Sequence, residues 1–143
     1  MAARRRRLPH TIFIYGTLKR GFANHAHLQG ATFVGEARTV ERYPMIIQGR
    51  FFSPVMIPEP GVGHRIVGEL WEVDDALLAA LDRLESVHLP TGYFRETIEV
   101  ELAGATTAAG VYFKPRARIE IVHTEPLADY QDRRYVPADQ RPR

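Results

Sequence analysis

Hydrophobic and polar positions divide the chain into short strand-like runs around a single helical stretch. Thr11 to Tyr15 is β-branched and aromatic, lies between Pro9 and Gly16, and predicts a buried strand. Residues 22–30 are polar with two histidines and suit a short helix or a loop. ATFVGEART (31–39) predicts a strand with a bulge at Gly35, and YPMIIQG (43–49) a short strand with a proline at its start. SPVMIPEPGVG (53–63) holds three prolines and two glycines, which predicts a loop around a short extended piece. HRIVGELWEVD (64–74) alternates as a strand, as do YFRETIEVELA (93–103) and TTAAGVYFK (106–114). From Ile119 onward the pattern is weak, rich in proline and charge. About six strands in succession, without repeated strand–helix units, predict an α+β domain. Its sheet is expected to be mostly antiparallel and barrel-like, with few flanking helices.

The helical stretch is DDALLAALDRLES, with Asp74 as its cap and Leu84 at or near its end. At about 100° per residue, with Leu77 at 0°, Leu81 falls near 40°, Leu78 near 100° and Leu84 near −20°. Those leucines form the buried stripe. Glu85 falls near 80°, inside it, while Asp82 sits at its edge near 140° and Arg83 lies opposite near 240°. A carboxyl aimed at the core has a raised pKa unless hydrogen bonds compensate, which makes it a useful acid or base near neutral pH. The structural alternative is that the helix end frays and Glu85 turns to solvent.

The run IFIYGTLKRG (12–21) breaks abruptly at Gly16. A strand ending in Tyr15, Gly16, Thr17 and Leu18 can turn several backbone N–H groups to one side, and Gly16 lets backbone approach a ligand closely. Such a nest attracts anions and polarised carbonyl oxygens. A strand followed by a glycine turn is also common as plain structure. The phosphate-loop pattern is absent.

Composition narrows the field. The 143 residues are 45% hydrophobic and 25% charged, enough for one sizeable core. There is no cysteine, which excludes disulfides, a thiol nucleophile and thiolate metal sites, and fits a reducing compartment. No apolar stretch approaches the ~20 residues of a membrane span, and no signal-peptide pattern precedes the first strand. A cytoplasmic protein without a membrane partner is the expectation. The net charge of +2 reflects arginines at the ends: Arg4 to Arg7, and Arg133, Arg134, Arg141 and Arg143. These read as solvated tails. A nucleic-acid surface would need basic residues interleaved with aromatics, so no nucleic-acid partner is expected; a steep loss of affinity with salt would reveal one.

Other chemistry is thinly supported. His25 and His27 fall on opposite faces of a strand with no third ligand, so no metal site is expected. Ser53 and Ser86 lack a nucleophile elbow. Glu69 shares a face with Trp71 and Val73 and either points inward behind a site or pairs at the rim; Glu72 points the other way.

Together these pieces resemble the γ-glutamyl cyclotransferase superfamily, in its γ-glutamylamine cyclotransferase (AIG2-like) branch. The matching residues are FIYGTLKRG (13–21) with Asn24, YPMIIQG (43–49), VGELWEVD (67–74), LDRLES (81–86) followed by YFR (93–95), and RYVP (134–137). The resemblance implies a basic N-terminal tail over 1–10, a single domain over 11–137 and a C-terminal tail over 138–143. It implies cleavage of a small-molecule γ-glutamyl amide by attack of the substrate's own α-amino group, releasing 5-oxo-L-proline and a free amine without cofactor or metal. It makes Glu85 the catalytic acid/base and Tyr15, Gly16, Thr17 and Leu18 the substrate-binding turn. The alternative is a non-catalytic member of the same fold that binds a small metabolite or a protein.

Overall fold

The structure is a computed structural model, and it describes residues 8–142. The arginine run Arg4 to Arg7 and Arg143 lie outside the described residues. In chain order the elements are β1 (His10–Ile14), β2 (Thr32–Tyr43), β3 (Met45–Gln48), β4 (Ser53–Met56), β5 (His64–Val73), α1 (Asp75–Leu84), β6 (Phe94–Leu102) and β7 (Ala105–Phe113). Short 3-10 turns occupy 25–28, 116–118 and 138–140.

Five strands close on themselves in the order β1-β5-β2-β6-β7. The neighbours from β1 to β7 are antiparallel, and a parallel bridge between Ile12 and Gly110 closes the ring. The β3–β4 hairpin adds to the barrel through a parallel bridge between Met56 and Phe113. The expected α+β barrel is therefore present, with seven strands and one α-helix among the described residues. No helix among the described residues is long and apolar enough to cross a membrane.

Alternation explains the two-sided burial. Phe13, Tyr15, Leu70, Val111 and Phe113 turn one way and join Met45, Ile47, Met56 and Ile66 in the barrel core. Their neighbours Ile12, Ile14, Trp71 and Tyr112 turn the other way and meet Leu78 and Leu81 of α1. A period of two in the strands thus feeds both a barrel interior and a helix-covered outer face. Full burial of each large apolar side chain contributes roughly 1.5–3 kcal/mol. The helix is capped as expected: the Asp74 carboxylate accepts from the Leu77 amide at 2.7 Å.

Three expectations are refined. β2 does not stop at residue 39 but runs to Tyr43, so YPMIIQG begins at the end of one strand and supplies the next. The reason is Thr39, which is fully buried: its hydroxyl donates to the Glu41 carbonyl and accepts from the Ile66 amide, bridging an irregularity that would otherwise break the ladder. The bulge falls just before Gly35, where Phe33 faces Trp71 and Gly35 faces Leu70, leaving Val34 extra. The weakly patterned tail is strapped to the barrel. His123 and Leu127 amides donate to the Ile47 and Met45 carbonyls, the Val67 amide donates to the Ala128 carbonyl, and Tyr130 is buried in the core.

Candidate active site

A cavity of about 260 Å³ opens between the end of β1, the end of α1, the start of β6, the end of β7 and the C-terminal segment. It is lined by Tyr15, Gly16, Thr17, Leu18 and Glu85 together, so the barrel brings the two sequence-predicted pieces, about 70 residues apart in the chain, onto one site.

Glu85 is held where it is by both of its backbone groups. Its amide continues the helix to the Leu81 carbonyl at 2.9 Å, and its carbonyl accepts from the Tyr93 amide at 3.0 Å. The helix then stops sharply. Ser86 takes a left-handed φ of 55°, its amide turns back to the Arg83 carbonyl, and the Val87 amide reaches the Asp82 carbonyl. These two bonds form a Schellman ending, so the helix does not fray before Glu85. Gly92 makes the return possible: a Cβ there would stand 1.9 Å from the Ser86 carbonyl oxygen. Glu85 is half-buried and lines the cavity. Burial pushes its pKa up from 4.5 to about 7, against the opposing pull of the Lys114 ammonium.

The turn after β1 is fixed by its carbonyls. Gly16 O accepts from the Lys19 amide at 3.0 Å, Thr17 O from the Asn24 amide at 2.9 Å, and Leu18 O from His25 Nδ1 at 3.0 Å. Asn24 Nδ2 also donates to Thr17 Oγ1 at 2.9 Å and to the Tyr135 hydroxyl at 3.1 Å. The amides are left over: among the described residues, no acceptor takes the N–H of Gly16, Thr17 or Leu18. Successive amides with no internal partner at the edge of a cavity are donors available to a ligand oxygen.

Two ion pairs, each with one buried and one exposed partner, brace this turn. Lys19 Nζ donates to Asp129 Oδ1 and to the Tyr130 carbonyl, both at 2.9 Å. Glu69, also buried, accepts from the Arg20 amide, from Arg20 Nε and from Trp71 Nε1, each at 3.1 Å. Glu69 thus meets both expectations in part: it is buried, it pairs with the exposed Arg20 of the turn, and it does not line the cavity.

The structure also changes what two predicted residues do. Gly16 is needed for a different neighbour than the ligand: a Cβ would meet Pro54 Cγ at 2.8 Å, so the missing side chain makes room for the start of β4. The Tyr15 hydroxyl is spent inside the protein, donating to the Tyr112 carbonyl at 2.7 Å and accepting from the Met56 amide at 3.1 Å. Burial, then the nearby Glu85, raises its pKa far above the ordinary tyrosine value.

Several lining residues carried no signal that periodicity could detect. Lys114, at the end of β7, sets its ammonium 4.7 Å from the centre of the Tyr93 ring, and that ring is fixed by a hydroxyl donating to the Pro54 carbonyl at 2.8 Å. Tyr135, from the RYVP piece of the expected domain, and Ala138 and Arg141, from the segment expected as a C-terminal tail, form the C-terminal wall. Ser53 and Ser86 line the cavity too, while His25 is engaged with the turn. Among the described residues no group of three or more His, Asp or Glu side chains is arranged to hold a metal ion.

The sequence matches the family described as "Gamma-glutamyl cyclotransferase, AIG2-like" over residues 12–132. A gamma-glutamylaminecyclotransferase of Bos taurus is 38% identical over 142 aligned residues, covering 91% of this chain and 83% of the relative. A human protein of the same name is 40% identical over 96 residues, covering 64% of this chain and 61% of the relative. A crystal structure of an AIG2-like protein from Mus musculus superposes with a TM-score of 0.78 at 32% identity, covering 92% of this chain and 98% of that one.

Proposed function

Since the chain belongs to the γ-glutamyl cyclotransferase, AIG2-like family, we propose that its cavity closes a γ-glutamyl amine into 5-oxo-L-proline and expels the amine, with Glu85 moving the protons. One observation carries the reading: a cavity-facing carboxyl with a pKa near 7 shares a small site with three unpartnered amides.

The substrate supplies both nucleophile and electrophile, so the protein needs no nucleophile of its own. Folding the α-amino nitrogen against the γ-carbonyl carbon makes the attack intramolecular, which can be worth roughly 7–11 kcal/mol of the barrier. The nitrogen starts as an ammonium and ends as a ring N–H, so it gives up two protons. The departing nitrogen starts as an amide N–H and leaves as an ammonium, so it gains two. Glu85 takes a proton from the ammonium, which frees the lone pair. A C–N bond forms to the carbonyl carbon, and its oxygen becomes negative. The amides of Gly16, Thr17 and Leu18 receive that charge without reorganising. Glu85, now protonated, delivers that proton to the departing nitrogen as the old C–N bond breaks and the oxyanion re-forms the carbonyl. Glu85 then takes the second proton from the new ring nitrogen and passes it to the released amine, so that two protons leave one nitrogen and two reach the other. A carboxyl with a pKa near 7 is ionised often enough to begin and acidic enough to finish.

A simple binder of an anionic metabolite gains nothing from a carboxyl facing its ligand, so the catalytic reading is preferred to a binding module. The cysteine-free composition suits work in the cytoplasm on a soluble small molecule, with neither nucleic acid nor membrane required. The direct test is incubation with a panel of γ-glutamyl amines while following 5-oxoproline and free amine. No release from any member, with the protein folded, would end this reading.

A further inference from the structure

Three formal charges line the cavity: Glu85, Lys114 and Arg141. Arg141 is committed to the protein. Its Nε donates to the Val136 carbonyl at 2.9 Å, Nη2 reaches the Tyr135 hydroxyl at 3.3 Å, and the guanidinium stacks 4.4 Å from the Phe51 ring centre. Lys114 is not. Its ammonium packs on the Tyr93 ring but donates no hydrogen bond to any described residue. An ammonium carries three donors; none of these is taken by a described residue, and the half-buried nitrogen remains open to an anion entering the cavity. Burial accordingly lowers its pKa, although the carboxylates of Glu120 and Glu85 pull the other way.

We propose that Lys114 is the residue that recognises the substrate's α-carboxylate, leaving the 16–18 amides free for the γ-carbonyl oxygen. This rests on the reading of the site as a γ-glutamyl amine pocket. In a γ-glutamyl group the ammonium and the carboxylate sit on the same carbon, so the protein groups that receive them must be neighbours. Glu85 receives the ammonium. Lys114 shares its wall, joined through Tyr93, whose amide holds the Glu85 carbonyl and whose ring carries the lysine. The γ-carbonyl lies at the other end of the side chain, toward the turn. The division also suits the charges. The carboxylate is a permanent anion best met by a formal cation. The oxyanion is transient, and fixed dipoles meet it at no reorganisation cost. Lys114 is then a specificity residue that rejects acyl amines lacking the carboxylate.

The test is calorimetric titration of the full chain with 5-oxo-L-proline and with its uncharged primary amide, using the parent, Lys114→Met and Lys114→Arg. Met keeps the aliphatic length and removes the charge; a thermal melt confirms folding. The parent should prefer the acid by about tenfold or more, Lys114→Met should bind the two alike, and Lys114→Arg should keep most of the preference. Repeating the comparison in the Glu85→Gln background closes any indirect route through Glu85. A preference that survives in Lys114→Met would assign the carboxylate to the 16–18 amides and overturn the proposal, as would a parent indifferent to the carboxylate. If γ-glutamyl amines are not turned over yet the acid preference depends on Lys114, the reaction assignment fails while this one stands.

Discussion

Replacing Glu85 by Gln removes a proton carrier while keeping the shape of the side chain, and the structure gives two opposite consequences. Turnover should fall by on the order of 10²–10⁴-fold, the usual contribution of a positioned general acid/base. Stability should rise. The Glu85 carboxyl has a pKa of about 7 in the folded chain against 4.5 when unperturbed, so the folded state binds the proton more tightly. The stability this group contributes is fully present below about pH 4.5 and is lost as pH rises through about 7. A difference from 4.5 to about 7 corresponds to about 3 kcal/mol. At about pH 8 the wild type therefore carries a half-buried, ionised carboxylate, and Glu85→Gln should be the more stable by up to about 3 kcal/mol in urea unfolding. At about pH 4 the difference should nearly vanish, because the wild-type carboxyl is then protonated in the fold and largely so in the unfolded chain.

The pH profile separates chemistry from stability. In the wild type, 5-oxoproline release at low substrate should climb through an acidic limb near pH 7, where Glu85 ionises. The limb should be missing from whatever residual rate Glu85→Gln retains. Substrate affinity should change far less than the rate, since the turn amides and Lys114 remain. A Gln variant that turns over within a few-fold of the parent, or one that keeps the same acidic limb, would refute the assignment. A Gln variant less stable than the parent at about pH 8 would refute the burial argument instead.

The remaining expectations test the scaffold. Gly16→Ala should destabilise by about 1–3 kcal/mol, because its Cβ meets Pro54 Cγ at 2.8 Å; adding Pro54→Ala, which leaves only the Cβ at 3.4 Å, should recover much of the melting temperature. Tyr15→Phe should cost about 1–3 kcal/mol by stripping a buried partner from the Met56 amide and the Tyr112 carbonyl, while turnover per folded molecule stays within a few-fold; a collapse in rate at full stability would show that the hydroxyl touches substrate. Asp82 pairs with Arg95 through two 3.0 Å bonds and accepts from the Tyr112 hydroxyl at 2.6 Å, but it does not line the cavity. Asp82→Asn should lower stability by no more than about 1 kcal/mol and leave turnover within a few-fold, as measured by melts and product release.

The parts of this molecule that could be read from the chain are those whose information is local. Alternation at residues 11–15 and 108–113 separates the two cores because successive strand side chains must face opposite ways. The leucines at 77, 78, 81 and 84 aim Glu85 because helical geometry leaves no other direction for it. The parts that escaped are settled by closure. Thr39 carries β2 past its expected end by bonding to Ile66, 27 residues away, and nothing near Thr39 announces that partner. Tyr15 spends its hydroxyl on a carbonyl 97 residues away, and Asn24 meets Tyr135 across 111. Gly16 shows the limit most sharply. Its local sequence says that a side chain is unwelcome, but only the β3–β4 hairpin says that Pro54 is the reason. Lys114 is hidden for the same cause. As the residue after the last buried position of β7, it looks like an ordinary solvated lysine, and only ring closure through Ile12 and Gly110 turns that strand end toward Glu85. A site assembled at the rim of a closed barrel therefore exposes its proton carrier to sequence reasoning, because a helix points it, and conceals its cation, because only the barrel does.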